Sequence, residues 1–249
     1  MTITLYDIPA QVPGKAISSN TWKARFSLNY KGIPYKTEWI GVDEIQSRFK
    51  ELGFNPTRKF ADGSDMYTVP AIHDPSTGVY LADSFLIAQY LDKTYPDTPR
   101  LLPDGMTGLQ AAFEDQFMSA IAPVTQFIQY PLSQKLYPKD QEAIRRRVES
   151  GFGKSLEELA PKGEVALREW DKLRDGLGKL DGFYAKMDDK GPFILGEKIS
   201  WGDIVLAGHF TWMKLAFGEG SQQWKDISSW HGGRWGKLLK LFDAYTAVP

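Results

Sequence analysis

SSNTWKARFSLNYKGIPY, residues 18–35, is the stretch on which the fold turns. Trp22, Ala24, Phe26, Leu28 and Tyr30 alternate as a half-buried strand would, yet the same residues supply the i, i+4 pairs of a helix. The ends decide for the helix. Ser18, Ser19 and Asn20 are good N-cap residues, and Gly32 followed by Pro34 is a helix stop. On either side lie runs that read as strands, residues 4–8 and 35–40, with further strands at 69–73 and, short, at 78–81. A second helix opens after Asp83 and Ser84, carries Leu86, Ile87, Tyr90 and Leu91 on one face, and ends before Pro96. Strands alternating with helices predict an α/β unit over the first hundred or so residues.

PDTPRLLPDG, residues 96–105, has three prolines and a terminal glycine and reads as a linker. It divides the chain into residues 1–97, a linker at 98–105, and an all-helical domain at 106–249. In the helical part, Leu109, Phe113, Phe117, Ile121, Val124 and Ile128 predict one helix, and Ile144, Val148, Phe152 and Leu156 a second. Ala166, Trp170, Leu173, Leu177, Leu180, Tyr184 and Met187 predict a third, whose seam faces its neighbours. Further helices follow Ser200 and Arg234. Ser200 and Asp203 form an S-x-x-D capping box ahead of Ile204.

Lysine plus arginine (30) nearly cancels aspartate plus glutamate (31), so no global field points to nucleic acid or an anionic membrane. The densest basic run, Arg145 to Arg147, sits among glutamates and reads as a solvated helix face. With no cysteine, disulfides, cysteine nucleophiles and thiolate metal sites are excluded, and any thiol chemistry must use a ligand's sulfur. His73, His209 and His231 are scattered, so no metal is expected. The N-terminus lacks the pattern of a secretory signal and no run approaches a bilayer span, which makes a cytoplasmic protein the default.

Four signals fall in one order: SSNTWKARFSLNYKGIPY from Ser18, TVPAI from Thr68, ADSFLIAQYL from Ala82 and ISWGDIVLAG from Ile199. Together they resemble the glutathione transferase family over essentially the whole chain. The likeness is greatest to the serine-type fungal FuA class and the related bacterial β-etherase-like enzymes, with some similarity of SSNTW to the zeta class. The resemblance implies a thioredoxin-like N-terminal domain plus an all-α C-terminal domain, glutathione as co-substrate, and a homodimer.

It also implies roles for residues. Ser18, with Ser19 and Asn20 beside it, would stabilise the glutathione thiolate at a helix start. Free thiol has a pKa of about 8.5, and lowering it by two units needs about 2.7 kcal/mol. One hydroxyl hydrogen bond to a charged group supplies about 1.5–3 kcal/mol and a helix N-terminus roughly 0.3–1 more, so one serine suffices. A cis bond between Val69 and Pro70 would turn the Val69 main chain towards the cysteinyl backbone. Asp83 and Ser84 would hold the γ-glutamyl group while capping their helix, and Arg58 or Lys59 the glycine carboxylate. For a hydrophobic second substrate the candidates are Tyr6, Ile8, Phe113, Phe117, Phe127 and Trp212. Two segments, DIPAQVPGKAI from Asp7 and NPTRKFADGSDMY from Asn55, are longer than the family pattern and are expected to border the cleft. The activity implied is conjugation to, or cleavage of, an aromatic electrophile. The alternative, from a different class, is a ligandin that holds aromatic or phenolic molecules with little turnover.

Overall fold

Every residue of β1 (Ile3–Asp7) is buried, because both faces of the strand are covered. Ile3 and Leu5 meet Ala24 and Leu28 of α1 (Ser19–Lys31) and Ile87 and Leu91 of α3 (Ser84–Thr94). Tyr6, pointing the other way, meets Ile45 and Phe49 of α2 (Ile45–Glu51). The computed structural model describes residues 2–187 and 191–249. With β2 (Tyr35–Trp39), β5 (Ala71–Asp74) and β6 (Val79–Ala82), β1 forms a sheet in the order β2-β1-β5-β6. β1 and β2 are parallel, joined by α1 as the crossover, and the other pairs are antiparallel. This is the thioredoxin-like half of the expected fold.

α1 is capped as the sequence predicts, by Ser18 and by Gly32 in the left-handed region (φ 67°). Its alternating apolar pattern has a physical source. Ala24 and Leu28 face the sheet, while Trp22 and Phe26 face the helical half of the molecule. A helix buried on two opposite faces carries two i, i+4 stripes, and interleaved they mimic a period of two.

The helical half comprises α4 (Thr107–Ile121), α5 (Thr125–Ser133), α6 (Pro138–Phe152), α7 (Gly163–Tyr184), α8 (Trp201–Phe217) and α9 (Gln222–Lys240). Several expectations need correction. The stretch from Leu109 to Ile128 is two helices, because the turn Ala122–Val124 contains Pro123, which cannot continue an α-helical hydrogen-bond ladder. Leu86, Leu109 and Phe152 are 48%, 63% and 49% exposed and do not belong to the core stripes. Gly153, at φ 65°, ends α6 before Leu156, which packs from a short turn of its own. The helical stretch expected after Arg234 is present, but the one that starts α9 at Gln222 was not foreseen; a break at residues 230–233, where His231, Gly232 and Gly233 have positive φ, separates the two. α2 and a hairpin of β3 (Arg58–Lys59) and β4 (Asp65–Met66) are too short to leave a periodic signal. By contrast, Leu173, Leu177, Leu180 and Tyr184 of α7 form the buried seam expected of them.

The segment at 98–105 is no loose tether. Leu101 and Leu102 are buried, and their N–H groups donate to the Asp92 carboxylate, which also accepts from Lys31 Nζ at 2.7 Å. We propose this segment as the joint between residues 1–97 and 106–249. Behind it α8 starts at the Ser200–Asp203 box. Asp203 accepts the Ser200 N–H at 3.0 Å, the Ser200 hydroxyl at 2.9 Å and the Ile194 N–H at 2.8 Å. Burial pushes its carboxyl up to about 6 despite these donors. Asp203→Ala removes a helix cap and orphans buried donors, and is expected to cost about 2–4 kcal/mol in denaturant unfolding. An unchanged midpoint would refute this role.

Candidate functional site

The start of α1 is held from two directions. Ser18 has extended backbone, and its Oγ accepts the Thr21 N–H at 3.3 Å, leaving the hydroxyl hydrogen to be donated elsewhere. The side chains of Ser19 and Asn20 have no hydrogen-bond partner among the described residues. From behind, α8 comes so close that a Cβ on Gly208 would stand 2.9 Å from the Ser19 carbonyl oxygen and 3.0 Å from Lys23 Cγ.

Two cavities meet at this helix start. The smaller, about 390 Å³, is bordered by Asn20 and Lys23 of α1, by Val69 and Pro70, and by Asp83 and Ser84. The Val69–Pro70 bond is cis. Neither the N–H nor the C=O of Val69 has a hydrogen-bond partner among the described residues. Asp83, at φ 85°, caps α3 by accepting the N–H groups of Phe85 and Leu86 at 2.8 and 3.1 Å. That leaves the Ser84 N–H and hydroxyl, which have no partner among the described residues, at the positive end of the helix. Arg58, presented by the β3–β4 hairpin, also borders this cavity. Lys59 does not; it pairs with Asp65 across the hairpin.

The second cavity, about 520 Å³, has largely apolar walls: Ile8, Ile17 and Trp212, with Leu132 and Leu136 beyond them. Ser18 and Ser19 border it, and Asn20 is common to both cavities. Of the six candidates for a hydrophobic site, only Ile8 and Trp212 lie here. Tyr6 is wedged edge-on between Phe49 and Phe54 on the α2 side of the sheet, where burial raises its hydroxyl to about 12. Phe117 is fully buried against His209 and Phe210, Phe113 lies against Gly202 and Phe183, and Phe127 stacks edge-on with Trp170 beside a different hollow. Apolar positions on a helix mark burial, and burial alone does not tell core from cleft. A larger depression of about 1110 Å³, between Tyr30, Arg100 and residues 195–200, shares no residue with either cavity.

Apart from Trp212, sequence reading missed the residues that close the cavities from the helical half. Glu114 of α4 accepts Lys23 Nζ at 2.6 Å and Trp201 Nε1 at 2.7 Å, tying α1, α4 and α8 together on the polar side. On the apolar side α6 contributes Ile144, Arg147, Val148 and Gly151, an i, i+3, i+4, i+7 stripe legible in the sequence but with no cavity there to point at. The loop from Asp7 to Ile17 folds back on itself (Ala10 N–H to Lys15 O, 2.8 Å) and docks on the turn between α5 and α6 (Gln11 N–H to Lys135 O, 2.6 Å). Among the described residues no group of three or more His, Asp or Glu side chains is placed to hold a metal, and no helix is long and apolar enough to cross a membrane.

Two family models match the chain. The one described as glutathione S-transferase, N-terminal domain, matches residues 17–94, and the one for the C-terminal domain matches residues 108–245. The chain belongs to the glutathione S-transferase family. As a member it is an enzyme of the glutathione transferase type, and its fungal likeness is strong. The glutathione S-transferase CsGST63524 of Ceriporiopsis subvermispora, crystallised in complex with glutathione, is 42% identical, with a TM-score of 0.95 over 100% of this chain and 99% of that one. The glutathione transferase GSTFuA3 of Phanerochaete chrysosporium is 37% identical, with a TM-score of 0.94 over 100% and 99%. The glutathione S-transferase-like protein ustS of Aspergillus flavus is 33% identical over 223 residues, 83% of this chain and 78% of that protein.

Two tests follow from the packing behind α1. Gly208→Ala overpacks the contact with Ser19 and should cost about 1–3 kcal/mol, read as a lower denaturation midpoint. His209, fully buried with Nδ1 2.9 Å from the Val205 oxygen, has its pKa pushed down to about 3, first by burial and then by the positive charge of Lys23. The unfolded chain therefore takes up this proton near pH 6.5 while the folded one does not. Stability from this group is present above pH 6.5 and is lost as pH falls towards 3. Relative to His209→Gln, the native chain should lose up to about 1.4 kcal/mol per pH unit below 6.5; parallel unfolding curves at pH 7 and pH 5 would exclude it.

Proposed function

We propose that the smaller cavity binds glutathione with its sulfur at the start of α1, and that the enzyme transfers it to a hydrophobic aromatic electrophile held in the larger, apolar cavity. The observation that carries this reading is that Asn20 borders both cavities, so a thiol lying beside the Ser18–Asn20 turn faces the second substrate. The fit to a tripeptide is good. The free N–H and C=O of Val69 suit the cysteinyl backbone. The Ser84 N–H and hydroxyl, at a helix N-terminus, suit the γ-glutamyl carboxylate. The Asp83 oxygen not used in capping is available to the ammonium. Arg58 suits the glycine carboxylate, and Lys59, already paired, is set aside.

In the reaction, a serine hydroxyl donates to the sulfur and stabilises the thiolate by about 1.5–3 kcal/mol, to which the helix start adds roughly 0.3–1. Capping does not prevent this, since Ser18 uses only an acceptor lone pair for Thr21. The thiolate attacks an electron-poor carbon, the C–S bond forms, and the leaving group departs with its electron pair. No carboxyl, imidazole or phenol borders the apolar cavity among the described residues. Leaving groups that depart as stable anions, such as halide or a phenolate, therefore suit it best. Pairing of two copies belongs to the same proposal, supported by the exposed Leu86, Leu109 and Met118 on the helices that flank the polar cavity.

The second reading, a ligandin that binds phenolics with little turnover, draws on the engagement of Ser18 Oγ as a helix cap. Kinetics with chlorodinitrobenzene separate the two. If the serine mechanism operates, Ser18→Ala or Ser19→Ala lowers kcat about 10- to 100-fold and raises the pKa of the bound thiol, read from thiolate ultraviolet absorbance. Ser84→Ala instead raises the KM for glutathione. Full turnover in both serine variants would discard the mechanism, and tight phenol binding without conjugation would favour the ligandin.

A further inference from the structure

Three arginines stand in a row on α6, and their surroundings differ. Arg145 is bound to Glu149 at 2.9 Å and to Glu157 at 2.5 Å. Arg146 is bound to Glu142 at 2.9 Å and to Asp43 at 3.1 Å. Arg147 has no carboxylate or hydrogen-bond partner among the described residues. It is also the one that falls on the stripe Ile144, Arg147, Val148, Gly151 facing the apolar cavity. Successive residues on a helix are about 100° apart, so when Arg147 takes the cavity-facing position its two neighbours are turned towards the acidic residues beside them. The sequence reading of this run as a solvated face thus holds for two arginines and fails for the third.

No acidic side chain borders this cavity among the described residues, so Arg147 is its only charged group there. A guanidinium is always protonated and presents a planar fork that matches a carboxylate or sulfonate. The apolar floor of Ile8, Ile17 and Trp212 suits a ring, and the rim carries one unneutralised cation. We infer that Arg147 makes the apolar cavity selective for aromatic electrophiles bearing an anionic substituent, with the ring against Trp212 and the anion on the guanidinium. This rests on the transfer reading above and specifies its second substrate. The chemical step is unchanged. Thiolate sulfur bonds to the ring carbon, the carbon–halogen bond breaks, halide leaves, and the anionic substituent takes no part.

The test uses the full chain and two electrophiles that differ by one group, chlorodinitrobenzene and chlorodinitrobenzoate. In Arg147→Gln the ratio of KM for the benzoate to KM for the neutral compound should rise about tenfold, while Arg147→Lys, which keeps the charge, should retain most of the preference. Raising the ionic strength should erode the preference of the native chain, because Arg147 is exposed. Calorimetry with naphthalenesulfonate and neutral naphthol gives the same comparison without turnover. If the native chain conjugates neither electrophile but binds the sulfonate preferentially, and loses that preference in Arg147→Gln, the transfer reading fails and the anion selectivity stands. If the variant leaves both the KM ratio and the binding ratio within about twofold of native, or if the native chain binds neither naphthalene, the inference is overturned.

Discussion

α1 is clamped between a sheet and a helix, and what surrounds the candidate site follows from that clamp. One stripe, Ala24 and Leu28, is buried on β1 and α3, and the other, Trp22 and Phe26, in the helical core. Burial of both faces by separate halves of the molecule fixes the helix axis, and the absence of a side chain at Gly208 brings α8 into contact with its first turn. A helix start offers free N–H groups and a partial positive charge wherever it occurs. This one is held between two cavities and borders both.

Buried charges reinforce the same joint. Lys23 with Glu114, Lys31 with Asp92, and Arg25 with Asp7 each anchor α1 through a largely or fully buried ion pair. Such pairs add little net stability, since desolvation offsets most of the attraction, but breaking one by removing a single partner is costly. Asp7 shows the balance: Arg25 draws its carboxyl down, yet complete burial dominates and raises it to about 6. The same carboxylate accepts the Ile8 N–H at 2.8 Å, so the pair that pins α1 also sets the first residue of the apolar cavity.

The two long segments beside the cleft contribute in different ways. The loop after β1 is spent on docking against the α5–α6 turn and brings Ile8 and Ile17 to the cavity. The segment after α2 folds into the β3–β4 hairpin, whose two-residue strands leave one cation, Arg58, at the polar cavity and pair the other, Lys59, with Asp65.

What the sequence determined by itself was much of what local chemistry dictates. The capped ends of α1 and α3, the box at Ser200 and Asp203, the seam of α7, and the order of motifs that marks the family all rest on residues close together in the chain, where capping and periodicity act. Ser18 to Asn20, Asp83 and Ser84 mark helix starts by their residue types, while the roles expected of them and of Val69 and Pro70 came from the family resemblance. Which apolar side chains line a cavity and which fill a core was decided only by the tertiary structure. Tyr6 and Ile8 are neighbours with the same local signature, but Tyr6 is buried under α2 whereas Ile8 is only partly buried and borders the apolar cavity. Arg147 differs from Arg145 and Arg146 only in direction. Exposure is a property of how separate elements pack, and no spacing along one element contains it.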